Sequence, residues 1–155
     1  SPQSCSLSPA ASSDLANIAK YPNVCLMPTW LEVAQSSRRS ASLLVSRDEY
    51  RSCLSRAYYA AYSKVTHVLV ATPGVAFPAG REGPNHPGPT GAGGIRRLIE
   101  SHMPDMNQNE RYKLSEMIGR LYTLRCDADY HPSTSVAARD ARAAISIMNT
   151  IFDSF

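Results

Sequence analysis

Residues 50–71 read YRSCLSRAYYAAYSKVTHVLVA, and this stretch decides the fold. Its Tyr50, Leu54, Ala57, Tyr58, Ala61, Val65, Val68 and Leu69 recur at steps of three and four. That spacing lines side chains along one face of an α-helix, whereas a half-buried strand needs alternation at every second residue. Immediately ahead, Ser46-Arg47-Asp48-Glu49 has the Ser-x-x-Glu form of a capping box, which predicts that the helix opens there. It is predicted to end near Ala71, before Pro73.

Working upstream, Thr29-Trp30-Leu31-Glu32 is a second capping box, followed by Leu31, Ala34, Ala41, Leu44 and Val45 on one broad face. A helix to about Val45 is expected. Residues 1–28 are rich in Ser, Ala and Pro and read as an arm, with one weakly helical stretch from Asp14 to Lys20. Downstream, Pro73 to Gly94 holds most of the glycines and many of the prolines, a composition that sustains neither helix nor central strand. Loops of this length are functional or disordered, so a lid or a disordered segment is expected. The loop ends in Gly91-Ala92-Gly93-Gly94 before a short helix from Ile95 to His102, the position of a phosphate cradle. Against a cradle, no strand precedes the glycines and no Walker lysine follows them.

Asn107 with Glu110 opens the next long helix, striped by Leu114, Met117, Ile118, Leu121 and Leu124. His131-Pro132 interrupts it, and the hydroxyl residues at 133–135 are placed to cap a last helix. That helix should bury Ala137, Ala141, Ala144, Ile145, Met148, Ile151, Phe152 and Phe155. The fold class that follows is all-α, an antiparallel bundle of about four main helices plus a short helix and an N-terminal arm. The bundle domain is expected over 29–155.

With 155 residues, 43% of them hydrophobic, the chain is long enough for one sizeable core. No apolar run approaches the roughly 20 residues needed to cross a bilayer. The start also lacks the basic-then-apolar pattern of a secretory signal, so a cytoplasmic protein with no membrane association is expected. Cys5, Cys25, Cys53 and Cys126 form no C-x-x-C pair, and the histidines do not stand at metal-ligand offsets from them. Neither a metal site nor a bound cofactor is expected. A net charge of +3 is far from the balance that by itself announces a nucleic-acid binder. Arginine nonetheless outnumbers lysine, and its planar fork suits phosphate oxygens.

Polar chemistry concentrates in Arg125-Cys126-Asp127-Ala128-Asp129-Tyr130-His131, at the end of an apolar helix. One reading is structural: an arginine near the negative end of the helix dipole, paired with Asp129 or Asp127. The other places Arg125 and His131 against one phosphate. RNA cleavage needs a base for the 2′-hydroxyl proton, an acid for the leaving oxygen and a cation for the transition state. A second cluster, Ser55-Arg56-Ala57-Tyr58-Tyr59-Ala60-Ala61-Tyr62, puts tyrosines and small residues in the middle of a helix. It reads either as a close helix seam with hydroxyls at its rim or as a base-stacking surface.

Together, in this order and across the long loop, the two clusters resemble the HEPN domains (higher eukaryotes and prokaryotes nucleotide-binding). The resemblance covers about 29–155 and rests on Ser55 to Tyr62, on Leu124-Arg125, and on Ala128-Asp129-Tyr130 followed by His131. It implies a helical bundle that usually dimerises. Many members are metal-independent endoribonucleases with an arginine, four to six residues of any kind, then a histidine, matched here by Arg125 and His131. It further implies that two such pairs share a cleft and leave a cyclic phosphate on cleaved RNA. Such proteins commonly act as toxins in toxin-antitoxin pairs or in antiviral defence, beside a nucleotidyltransferase-like partner. On this reading Arg125 stabilises the phosphate, His131 acts as acid or base, Asp127 and Tyr130 orient them, and Arg56 and Tyr59 support the site. The rival expectations are a non-catalytic HEPN interaction module partnering a nucleotidyltransferase or another defence protein, and a nucleotide-binding module. Cys126, where active members often carry Asn, Asp or His, favours the rivals.

Overall fold

Five helices carry the described part of the chain, residues 27–87 and 94–155 of a computed structural model. They are α1 (Trp30–Ser46), α2 (Tyr50–Val70), α3 (Ile95–His102), α4 (Gln108–Tyr130) and α5 (Ala138–Asp153). The fold is all-α, with four main helices and the short α3. Neither the Asp14–Lys20 stretch nor Gly91-Ala92-Gly93 lies within the described residues.

Helix α1 starts as its sequence predicts. Thr29 Oγ1 accepts from the Glu32 amide at 3.3 Å, and the Glu32 carboxylate accepts from the Thr29 amide at 2.7 Å. The expected box at Ser46 does not form, because Ser46 is the last residue of α1 and its hydroxyl donates back to Leu43 O at 2.6 Å. Instead the chain closes α1 with a Schellman-type turn. Glu49 N donates to Leu44 O at 3.0 Å and Asp48 N to Val45 O at 3.3 Å, with Asp48 in the left-handed region at φ 59°. Asp48 Oδ1 accepts from the Tyr50 hydroxyl at 2.7 Å, and Glu49 becomes the N-cap of α2 without a side-chain bond.

So short a link, residues 47–49, folds α1 and α2 back on each other as an antiparallel hairpin. Helix α2 is the central element and touches every other helix. Ala57, Ala60 and Ala61 are fully buried along it, which lets neighbouring backbones approach closely. Leu54, Leu69, Ile118, Leu121, Met148 and Ile151 fill the core around them, each contributing about 1.5–3 kcal/mol by leaving water.

Helix α4 opens on the predicted box, Asn107 Oδ1 accepting from the Glu110 amide at 3.0 Å and Glu110 accepting from the Asn107 amide at 2.8 Å. Helix α5 starts later than the hydroxyls at 133–135, which are exposed. Its N-cap is Ala137, whose amide donates to the Asp140 carboxylate at 2.8 Å. Alanine has no side-chain acceptor, so the reciprocal half of a capping box is lacking. Phe155 lies beyond the end of α5 and is exposed rather than buried, while Ala137, Ile145 and Phe152 are half-buried.

Of the loop from Pro73 to Gly94, residues 88–93 lie outside the described residues, and the stretch 83–87 is docked on the bundle. Gly83, Pro84 and Pro87 are buried. The Tyr62 hydroxyl donates to Pro84 O at 2.7 Å, and Ile95 N donates to Asn85 O at 2.8 Å. Gly83 is there because of close approach: a Cβ would sit 3.1 Å from the Tyr62 hydroxyl oxygen and 3.2 Å from Trp30 Cζ2. Among the described residues, no helix is long and apolar enough to cross a membrane.

Candidate functional site

Near the end of α4, the side chain of Arg125 is only 12% exposed. Its Nε donates to Asp129 Oδ2 at 2.9 Å, and its Nη2 donates to the hydroxyls of Tyr130 at 3.0 Å and Tyr59 at 3.2 Å. The guanidinium carbon also lies 5.1 Å from the Tyr130 ring centre and 5.2 Å from that of Tyr59, contacts worth about 0.5–2 kcal/mol each. Burial opposes the charge of Arg125, but Tyr59, Tyr130 and Asp129 more than offset it and hold its pKa above the ordinary arginine value. Ser55 Oγ donates to the same Asp129 oxygen at 3.3 Å. The fold therefore brings together residues from the two clusters that the sequence singles out, Ser55 and Tyr59 from α2 with Arg125, Asp129 and Tyr130 from α4.

The other expected residues lie around this junction. Tyr130 is exposed and touches Arg125 through its hydroxyl. Asp127 contributes its backbone oxygen to Arg51 at 3.4 Å, while its carboxylate has no hydrogen bond or ion pair among the described residues. The carboxylate that orients Arg125 is that of Asp129, one helical turn on and so on the same face. His131 is the C-cap of α4 and is exposed. Its carbonyl accepts from the Thr134 amide at 3.0 Å, and no described hydrogen bond joins its imidazole to Arg125. Arg56 is exposed and, with Arg51, Ser52, Ser55 and Asp129, lines a cleft of about 230 Å³.

Two residues that sequence reasoning passed over complete the arrangement. Arg51, one turn before Ser55, reaches the end of α4 and donates to the carbonyls of Ala128 at 2.8 Å, Pro132 at 3.1 Å and Thr134. It also lies 3.4 Å from the carbonyl oxygen of His131. A guanidinium there satisfies carbonyls that the helix leaves unpaired and opposes the negative end of its dipole. His86, from the docked loop, sits in a nest of tyrosines. Its Nδ1 is 2.6 Å from the Tyr58 hydroxyl, its ring is stacked on Tyr122 at 10° and 6.3 Å, and it packs 4.7 Å from the Tyr62 ring. Burial, then the positive charges of Arg125 and Arg81, push the His86 pKa below the usual histidine value. Of these residues, Asp129 was accessible from helical spacing, whereas Arg51 and His86 are brought in by tertiary contacts that no local pattern encodes.

Among the described residues, no three His, Cys, Asp or Glu side chains gather in a way that could hold a metal ion. No protein-family model, curated protein or solved structure matches the chain.

Proposed function

We propose that the chain is a HEPN-type, metal-independent endoribonuclease that acts as a homodimer on RNA, in the role of a toxin or defence component. The observation that carries this reading is the state of Arg125: a largely covered cation, oriented on its Nε and Nη2 edge by Asp129, Tyr59 and Tyr130, with no described bond at Nη1. A preorganised cation of this kind stabilises charge that develops at a scissile phosphate. His131 supplies proton transfer, and its exposure at the end of α4 leaves it open to a phosphate held by a second copy. Attack of the 2′-oxygen on phosphorus then breaks the bond to the 5′-oxygen, giving a cyclic phosphate and a 5′-hydroxyl end.

The test is incubation of the purified protein with mixed RNA in EDTA, beside Arg125→Ala and His131→Ala variants checked for folding and dimerisation. Cleavage by the parent is expected, with losses on the order of 10²-fold or more in each variant. A His131→Ala protein that cuts as fast as the parent overturns these roles. A second reading has its own support: the Arg125 bonds also clamp α4 to α2, which is work for a non-catalytic module partnering a nucleotidyltransferase-like protein. A folded, dimeric parent that cleaves no RNA favours that reading.

A further inference from the structure

The tyrosines of α2 pack against two polar groups, His86 from the loop and Arg125 from α4. The rings of Tyr58 and Tyr59 lie 5.7 and 6.1 Å from His86, and 5.9 and 5.2 Å from the Arg125 guanidinium. Each of these groups is tethered by one edge, Arg125 through Nε and Nη2 and His86 through Nδ1. Arg125 Nη1 and His86 Nε2 make no hydrogen bond among the described residues. Neither side chain is wholly enclosed, Arg125 being 12% exposed and His86 half-buried.

The Tyr58 side chain settles which proton His86 carries. Tyr58 is fully buried, and His86 Nδ1 is the one described partner of its hydroxyl. If Nδ1 carried the proton and donated to Tyr58, the hydroxyl hydrogen would be buried with no acceptor, at a cost of about 1–3 kcal/mol. The hydroxyl therefore donates to Nδ1. The neutral ring then has its proton on Nε2, the nitrogen that remains free.

We propose that Arg125 Nη1 and His86 Nε2–H form a phosphate-oxygen site within one copy of the chain, with His86 serving as a neutral hydrogen-bond donor rather than as a base. The proposal rests on the ribonuclease reading for its substrate, a phosphodiester of single-stranded RNA. Charge on the bound oxygen is met by a fixed cation and a neutral donor, and burial, followed by the positive charges of Arg125 and Arg81, lowers the pKa of the imidazole and so favours its neutral form. Proton transfer is left to the exposed His131.

The experiment uses the whole chain with ¹⁵N-labelled histidine. The probes are inorganic phosphate and a short single-stranded RNA bearing a 2′-O-methyl group on every ribose, which cannot be cut by 2′-oxygen attack. His86 is expected to show the Nε2–H tautomer at neutral pH and to shift with both probes. Tyr58→Phe/His86→Phe, which keeps the aromatic packing and leaves no orphaned hydroxyl, is expected to bind the methylated RNA about tenfold more weakly. His86→Gln should retain most of the affinity, since its amide oxygen accepts from Tyr58 and its NH₂ donates outward. An Nδ1–H tautomer in the parent, or unchanged RNA affinity in the double variant, overturns the proposal. The tautomer is read on the parent, so the proposal stays exposed to test even if the double variant fails to fold. RNA cleavage that needs Arg125 but not His86 refutes this site and leaves the ribonuclease intact. A His86 response to phosphate with RNA neither bound nor cut supports the site and removes the ribonuclease.

Discussion

Replacing Arg51 by alanine should destabilise the bundle although Arg51 lies on no apolar face. Its fork makes three close bonds, to the carbonyls of Ala128, Pro132 and Thr134. Hydrogen bonds from a charged donor are worth about 1.5–3 kcal/mol each where water is excluded. The Ala128 end of the clasp is such a place, since Ala128 is buried, whereas Pro132 and Thr134 are exposed and water can replace much of what they lose. Opposing the helix dipole adds about 0.3–1 kcal/mol. The sum is about 3 kcal/mol, or about 6–12 °C in Tm for a chain of this size. Arg51→Lys keeps the charge but not the fork, so it should recover only about 1 kcal/mol. Urea unfolding of the three proteins, followed by circular dichroism, measures this directly. A loss below about 1 kcal/mol for Arg51→Ala would show that water satisfies these carbonyls equally well, and that the clasp is not what holds the 127–134 turn.

Other expectations concern single sites. Asp48→Ala should cost about 1–2 kcal/mol in the same unfolding assay, because alanine must adopt φ 59° without the Tyr50 bond. Asp48→Asn, which tolerates that backbone, should cost much less. His86 has a folded-state pKa below its ordinary value of 6.5, so the unfolded chain takes up its proton first as pH falls. Stability from this group is present above about 6.5 and is lost as pH drops toward the folded-state value, and His86→Gln should flatten that part of a Tm-versus-pH curve. Cys53 is fully buried and burial pushes its thiol up to about 11. Iodoacetamide at pH 8, read by peptide mass mapping, should therefore label it only after denaturant is added, with half-buried Cys126 labelled sooner.

The helices were legible because each rests on information within a few residues. Leu114, Ile118 and Leu121 lie on a stripe that any helix would bury, and both Thr29 with Glu32 and Asn107 with Glu110 close the boxes that their spacing announces. Ser46 through Glu49 carries the same local signal and does not use it. The competing end of α1, with its left-handed Asp48, takes the turn first. A capping motif says that an end is near, not which helix owns it. The site was legible to the same depth. Arg125 and Tyr59 were marked by their clusters, and Asp129 by its four-residue step from Arg125. Arg51 reaches across 77 positions to Ala128, and His86 across 28 to Tyr58, and their meeting depends on how closely whole elements pack.

That closeness explains why the tyrosine cluster need not be assigned either to packing or to chemistry. Ala57, Ala60 and Ala61 let α2 sit deep in the bundle, and the Tyr58, Tyr59 and Tyr62 rings carried by the same helix are drawn in with it. A buried tyrosine needs a partner for its hydroxyl. Tyr58 finds His86, Tyr62 finds Pro84 O, and Tyr59 accepts from Arg125. Two of these partners anchor the loop and the third fixes the end of α4, so satisfying the core hydroxyls is the same act as positioning the polar groups at the rim. Tyr62→Phe should accordingly leave the helices intact while loosening residues 83–87. A faster amide exchange at Ile95, whose N–H is held by Asn85 O, would register that loosening even where far-ultraviolet circular dichroism does not change.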